Sequence, residues 1–197
     1  MRQGVLVIVD ALTRVVYALR RIPEETGEEV LKHFDHLKAQ GLNLAAMKAL
    51  VSDRHGAYQY VREVGLWWVE MQYCVFHLWR NLGGLWARYE KLWGETKVKH
   101  LQELVHRVWD AMTLEQAQVA LQQLKQEFGR IKLVELVSET FTGATLHLRR
   151  IVPGLPRTSG VAEWVFRRYK PRYDQLQCFM SDPGGDVFNA LWQSGAL

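Results

Sequence analysis

The run Met47–His77, MKALVSDRHGAYQYVREVGLWWVEMQYCVFH, decides the fold class. MKALVSD reads as a short apolar strand ending in Asp53. GAYQYVREVG reads as a short helix stopped by Gly65, and LWWVEMQYC as a second strand that delivers Cys74 at its end. A strand, a helix and a strand in that order predict an α/β chain with a mixed sheet flanked by helices. Ligands in such sheets bind beyond the carboxyl ends of strands, which makes Asp53 a candidate site residue. An aspartate there also serves as a cap for the next helix, and both readings stand.

Upstream, residues 4 to 10 read as a buried strand ending in Asp10, and residues 14 to 22, RVVYALRRI, as its β-branched and aromatic partner. The short separation suits an antiparallel hairpin. Thr26 and Glu29 form a capping-box pair, apolar residues then recur at helical spacing, and Gly41 stands where a helix would end. Downstream of Cys74 the strand signal stops. Residues 76 to 140 read as helix almost throughout, with a second capping box at Thr113 and Gln116. TFTGATLHLRRIVPGLPRTSG, residues 140–160, reads as loop, and VAEWVFRRYK as a final helix starting near Thr158 or Ser159.

Trp79, Trp86 and Trp93 recur every seven residues, a stripe that suits a helix core, with base stacking as the alternative. Cys74 and His77 stand three apart at a strand-to-helix junction. Zinc would need two further ligands, and the second cysteine, Cys178, has no neighbouring histidine, so the pair is expected to pack beside a site. His33, His36, His55, His100, His106 and His147 form no ligand pattern.

Hydrophobic residues make up 48% of the 197 positions and charged residues 23%, as in an ordinary globular chain. Two cysteines make no disulfide scaffold, and neither a signal peptide nor a membrane-length apolar run is visible, so a cytoplasmic location is expected. The net charge of +4 is uneven. Between His147 and Tyr173 stand seven Lys/Arg and one acid, Glu163, which leaves the rest of the chain at −2. Glu163 shares a helix face with Arg167 and Lys170. A carboxylate flanked by cations is either a solvated ion-pair face or the arrangement that phosphoryl transfer on nucleic acid needs: an oxygen ligand for a divalent cation beside groups that hold phosphates.

Taken together, KALVSDRHGAY, QYCVFHLWRN and PRTSGVAEWVFRRYKPR resemble, in order and spacing, the DDE/D transposases of bacterial insertion sequences related to the Mutator type, which have an RNase H-like catalytic core. The 85 residues between His77 and Glu163, mostly helical in pattern, are similar to the all-helical insertion these families carry before the last acid. The resemblance divides the chain into a first part of the core at 1–78, the insertion at 79–150, and the completion of the core with the glutamate-bearing helix at 151–197. It implies that Asp53 and Glu163 are catalytic acids that hold metal, within a site for two magnesium (or manganese) ions that cleaves DNA and transfers strands. It implies that Cys74 and His77 are an auxiliary pair, and that Arg167, Lys170 and Arg172 bind DNA. The partners implied are DNA at element ends and targets, and further copies of the chain when the protein is intact, with no membrane.

The first acid of the family lies on the first of three antiparallel strands, whereas two strands precede Thr26 here. Asp10 is therefore open to two roles, metal ligand or hairpin-turn residue, and the strand count favours the turn. On that count the chain is expected to be N-terminally truncated, lacking the first strand and a preceding DNA-binding domain, and inactive in transposition by itself. The alternative is a non-catalytic nucleic-acid-binding remnant or a domesticated transposase-derived protein.

Overall fold

The computed structural model describes residues 4–149 and 151–176, apart from the side chains of residues 170 and 172–176. In chain order the elements are β1 (Gly4–Val9), β2 (Val16–Ile22), α1 (Gly27–Ala39), β3 (Ala49–Ser52), α2 (Gly56–Tyr60), β4 (Glu70–Tyr73), α3 (Val75–Asn81), α4 (Gly83–Trp93), α5 (Glu95–Trp109), α6 (Leu114–Phe128), α7 (Lys132–Ala144) and α8 (Gly160–Leu176). The class is mixed α/β. The strands form two two-stranded sheets, β1 with β2 and β3 with β4. No helix among the described residues is long and apolar enough to cross a membrane.

The chain divides into two compact units. The first contains the described parts of 1–48, 55–69 and 159–197. Its β1 and β2 pair antiparallel from Gly4↔Ile22 to Val9↔Val16, with a slip between Ile8 and Val9. The turn is longer than the sequence suggests, running from Asp10 to Val15, because Arg14 takes a left-handed conformation at φ 63°. Leu19 of β2 and Tyr169 of α8 are both fully buried and pack with Val5, Val7 and Val16, so α8 is held by its apolar face. In α1 the Thr26 hydroxyl accepts from the Glu29 amide at 3.2 Å, and Val30, Phe34 and Leu37 form the buried stripe. A Cβ on Gly27 would lie 2.3 Å from a ring carbon of Tyr60, which is why the start of α1 carries no side chain. After α2 the helix widens into one π-helical turn, Val61–Gly65.

The second unit contains 49–54 and 70–158. Here β3 and β4 run parallel, in register from Ala49↔Glu70 to Ser52↔Tyr73. The second of these strands is shorter than its apolar run, since Leu66–Val69 close a turn through the Val69 amide and the Leu66 carbonyl. The remainder is helical, α3 to α7, around a core that includes Leu101, Leu104, Val105 and Val108 of α5, Leu124 of α6, and Leu133 and Val137 of α7. The tryptophan stripe belongs to this core, although its spacing spans two helices: Trp79 lies on α3, Trp86 and Trp93 on α4. Trp79 and Trp86 have ring centroids 5.3 Å apart, and Trp93 stacks on Tyr89 at 4.6 Å. The predicted loop from residue 140 is helix as far as Ala144, where Thr140 and Thr145 each satisfy a hydroxyl on a backbone carbonyl of α7.

Candidate functional site

Asp53 is the first residue beyond β3, and Cys74 the first beyond β4. Because the strands are parallel and Ser52 pairs with Tyr73, both leave the pair at its carboxyl end. The Cys74 amide donates to the Ser52 carbonyl at 2.7 Å, and the Ser52 hydroxyl donates to the Asp53 carbonyl at 2.8 Å. The ladder is thus extended past its last rung, and the backbone of Asp53 is fixed there. Cys74 is fully buried, and it opens α3 as its N-cap. His77 stands one turn into that helix, half-buried, with its ring edge-to-face on Phe76.

Two residues that the sequence did not single out hold this end in place. Gln72 is fully buried on β4. Its Nε2 donates to the Ala144 carbonyl at 2.9 Å and to the Tyr73 carbonyl at 2.8 Å, while its Oε1 accepts from the His147 amide at 2.9 Å. The strand end is thereby tied to the close of α7, with every polar atom of the amide used. Arg157 supplies the carbonyl that accepts from the Val75 amide at 3.2 Å, satisfying a first-turn donor of α3. Its guanidinium reaches Asp110 at 2.9 Å, and Asp110 also contacts His106 at 3.0 Å. A polar residue inside the apolar run VEMQYC was a visible signal for Gln72. Arg157 stood out only as one more positive charge.

Glu163 belongs to the first unit, in the first turn of α8. Its amide donates to the Ser159 carbonyl at 3.1 Å, and the Ser159 hydroxyl donates to its Oε1 at 3.1 Å. Arg167 and Arg168 are exposed further along the helix. Lys170 and Arg172 fall on α8, but their side chains lie outside the described residues, as does Cys178.

Asp10, also in the first unit, opens the hairpin turn. Its Oδ1 accepts from the Leu12 amide at 2.8 Å and from the Thr13 amide at 2.7 Å. The Thr13 amide, ahead of the Leu12 amide, holds this carboxyl below its ordinary range, against a smaller opposing effect of burial. Among the candidates, then, the second unit brings Asp53, Cys74 and His77 to one strand end, and the first unit carries Asp10 and Glu163 on different elements.

No family model, no curated protein and no solved structure matches this chain. The chemistry of the site therefore rests on its own donors. In the second unit Cys74 and His77 supply a sulfur and a ring-nitrogen donor one helical turn apart, and in the first unit Glu163 supplies a carboxylate. The carboxylates of Asp53 and Glu163 are hard oxygen ligands that suit magnesium or manganese, and the thiol of Cys74 does not suit magnesium.

Proposed function

We propose that this chain is a DNA transposase catalytic domain of the DDE/D type, with an RNase H-like core and an all-helical insertion before its last acid. The observation that carries the reading is the shared carboxyl end of β3 and β4, where Asp53 and the Cys-x-x-His segment emerge side by side. Asp53 and Glu163 are assigned as the carboxylate ligands of a divalent cation. Bound magnesium would polarise the phosphodiester and lower the pKa of an attacking water or 3′-hydroxyl. The chain's own contributions are to fix the Asp53 backbone through the Ser52–Cys74 bond, to orient Glu163 through Ser159, and to neutralise DNA phosphates with Arg167, Lys170 and Arg172. The intact assembly would contain more than one copy of the chain.

A second reading is favoured by one observation. Asp10 is committed to its turn through two amides, which leaves two carboxylates where the reaction uses three. On this reading the chain binds nucleic acid without cutting it.

Calorimetry with manganese, paired with a strand-transfer assay on plasmid DNA, tests both. The expected result is metal binding that weakens at least about tenfold in both Asp53→Asn and Glu163→Gln, a ligand being worth no less than the outer-shell residues that support it. Strand transfer is expected to be absent. Wild-type protein that binds DNA but no metal sinks the catalytic reading and leaves the second. Strand transfer that is abolished by Asp10→Asn makes Asp10 the third ligand.

A further inference from the structure

We propose that Trp164 is a stacking platform for an unpaired nucleobase, with Arg167 and Arg168 holding the phosphates of the same single strand. The inference rests on the nucleic-acid reading above and names the form of substrate that this helix accepts.

Trp164 follows Glu163 in the first turn of α8, and 55% of it is exposed. A large indole left in water one residue from a candidate metal ligand needs a reason. Packing does not supply it. Val165 and Tyr169 are the buried residues among those described on this helix, and Tyr169 makes the contact with Leu19, so α8 is anchored without Trp164.

The surroundings select the occupant. The Arg168 guanidinium lies over the indole, 4.9 Å from its centroid, as expected for residues four apart on one helix face. Arg167 is exposed alongside, and neither arginine has an ion-pair partner among the described residues. An indole beside two exposed guanidinium groups offers a π surface to a base and positive charge to its flanking phosphates, which is how single strands are held. In a duplex the base faces are already stacked on one another and cannot use the ring. Exposure alone does not make such a site. Trp67 is more exposed, at 71%, and packs edge-to-face on Trp68, but its charged chain neighbours Arg62, Glu63 and Glu70 carry no positive excess.

The test is fluorescence anisotropy with the full 197-residue chain, a labelled oligothymidylate and a labelled duplex of equal length, at low salt. Trp164→Ala is expected to weaken binding to the single strand at least about fivefold, leave the duplex within about twofold, and be rescued by Trp164→Phe, in line with stacking on aromatic side chains. Arg167→Gln is expected to weaken both. If Trp164→Ala binds both probes as wild type does, or loses both equally, stacking is overturned. The nucleic-acid reading then still stands if Arg167→Gln weakens binding. If Trp164→Ala instead changes only the sedimentation of the chain, the indole is a self-association contact and the proposal fails. Wild-type protein that binds neither probe overturns this proposal and the nucleic-acid reading together.

Discussion

The Cys74 amide and the Ser52 carbonyl are 2.7 Å apart, a hydrogen bond one step beyond the last paired residues of β3 and β4. It makes the departures of Asp53 and Cys74 from the parallel pair a single rigid feature. Since the bond is backbone to backbone, no substitution short of proline at Cys74 removes it directly. Its integrity depends on what anchors β4.

Gln72 is the principal anchor. Gln72→Leu keeps most of the volume but leaves the part-buried His147 amide without its partner and takes one partner from the buried Ala144 carbonyl, to which the His147 ring also bonds. An orphaned group costs about 1–3 kcal/mol, so a loss of about that size is expected in urea unfolding. A change below about 0.5 kcal/mol would mean that water replaces the amide, and that the strand end is not dry.

Gly143 is the steric counterpart. A Cβ there would lie 2.5 Å from two ring carbons of Tyr73, and a ring held at the end of β4 has little room to turn. Gly143→Ala is expected to destabilise the chain by about 1–3 kcal/mol, as overpacking does, and Tyr73→Ala in the same chain should recover part of the loss. A thermal melt of the single and double variants checks both. Equal melting of Gly143→Ala and wild type would show that α7 and β4 slide apart at no cost.

Local signals in the sequence were strong where chemistry and geometry act within a few residues. The Thr26 and Thr113 caps and the stop at Gly41 are all of this kind, and each has its hydrogen bond or its φ in the structure. The carboxyl-end placement of Asp53 and Cys74 was legible because a strand that ends in a polar residue before a helix leaves few alternatives. The partners of Gln72 and Arg157 were not legible, because the Ala144 and Trp109 carbonyls that accept from them lie 72 and 48 residues away. The turn at Leu66–Val69 was misread as strand because both of its ends, Leu66 and Val69, are buried and apolar, and burial alone does not distinguish a turn from a ladder.

Asp10 gives a prediction with a definite sign. Its folded pKa is depressed below 3.8, so its contribution to stability is present above that value and is lost as pH falls through the lowered folded pKa. Asp10→Asn retains an acceptor for the turn but loses the charge. Wild type should therefore be the more stable of the two near neutrality, and the difference should close in acid, once pH has fallen through the lowered folded pKa. Asp10 is half-buried at a surface turn where solvent still screens the charge, so the effect is small. An unchanged difference at both pH values would show that the turn is indifferent to the charge.

Two histidines should make the folded chain sensitive to mild acid, and they report on different units. Burial, opposed by Glu29 and aided by Arg20, His36 and Lys32, pushes the His33 imidazole below its ordinary range. Burial, aided by Arg157 and opposed by a hydrogen bond to Ala144, does the same for His147. In both cases the folded pKa lies below the unfolded value of 6.5, so the unfolded chain takes up protons first. Stability is complete above the unfolded pKa and declines as pH falls through it toward the lowered folded pKa. The urea midpoint of wild type is accordingly expected to fall between about pH 7.5 and about pH 5.5, and His147→Gln and His33→Gln should each remove part of that fall. Proton NMR of the imidazoles assigns the parts, since each should titrate in the folded protein below its ordinary pKa. Burial is what opposes a charge on His147, so the protonated ring is expected to move toward solvent and away from Gln72, whose Oε1 accepts from its Nδ1 at 3.3 Å, and acid should loosen the carboxyl end of β4 first. Hydrogen exchange at the Cys74 amide measures that directly, and protection that stays constant across the same pH range would separate His147 from the strand end.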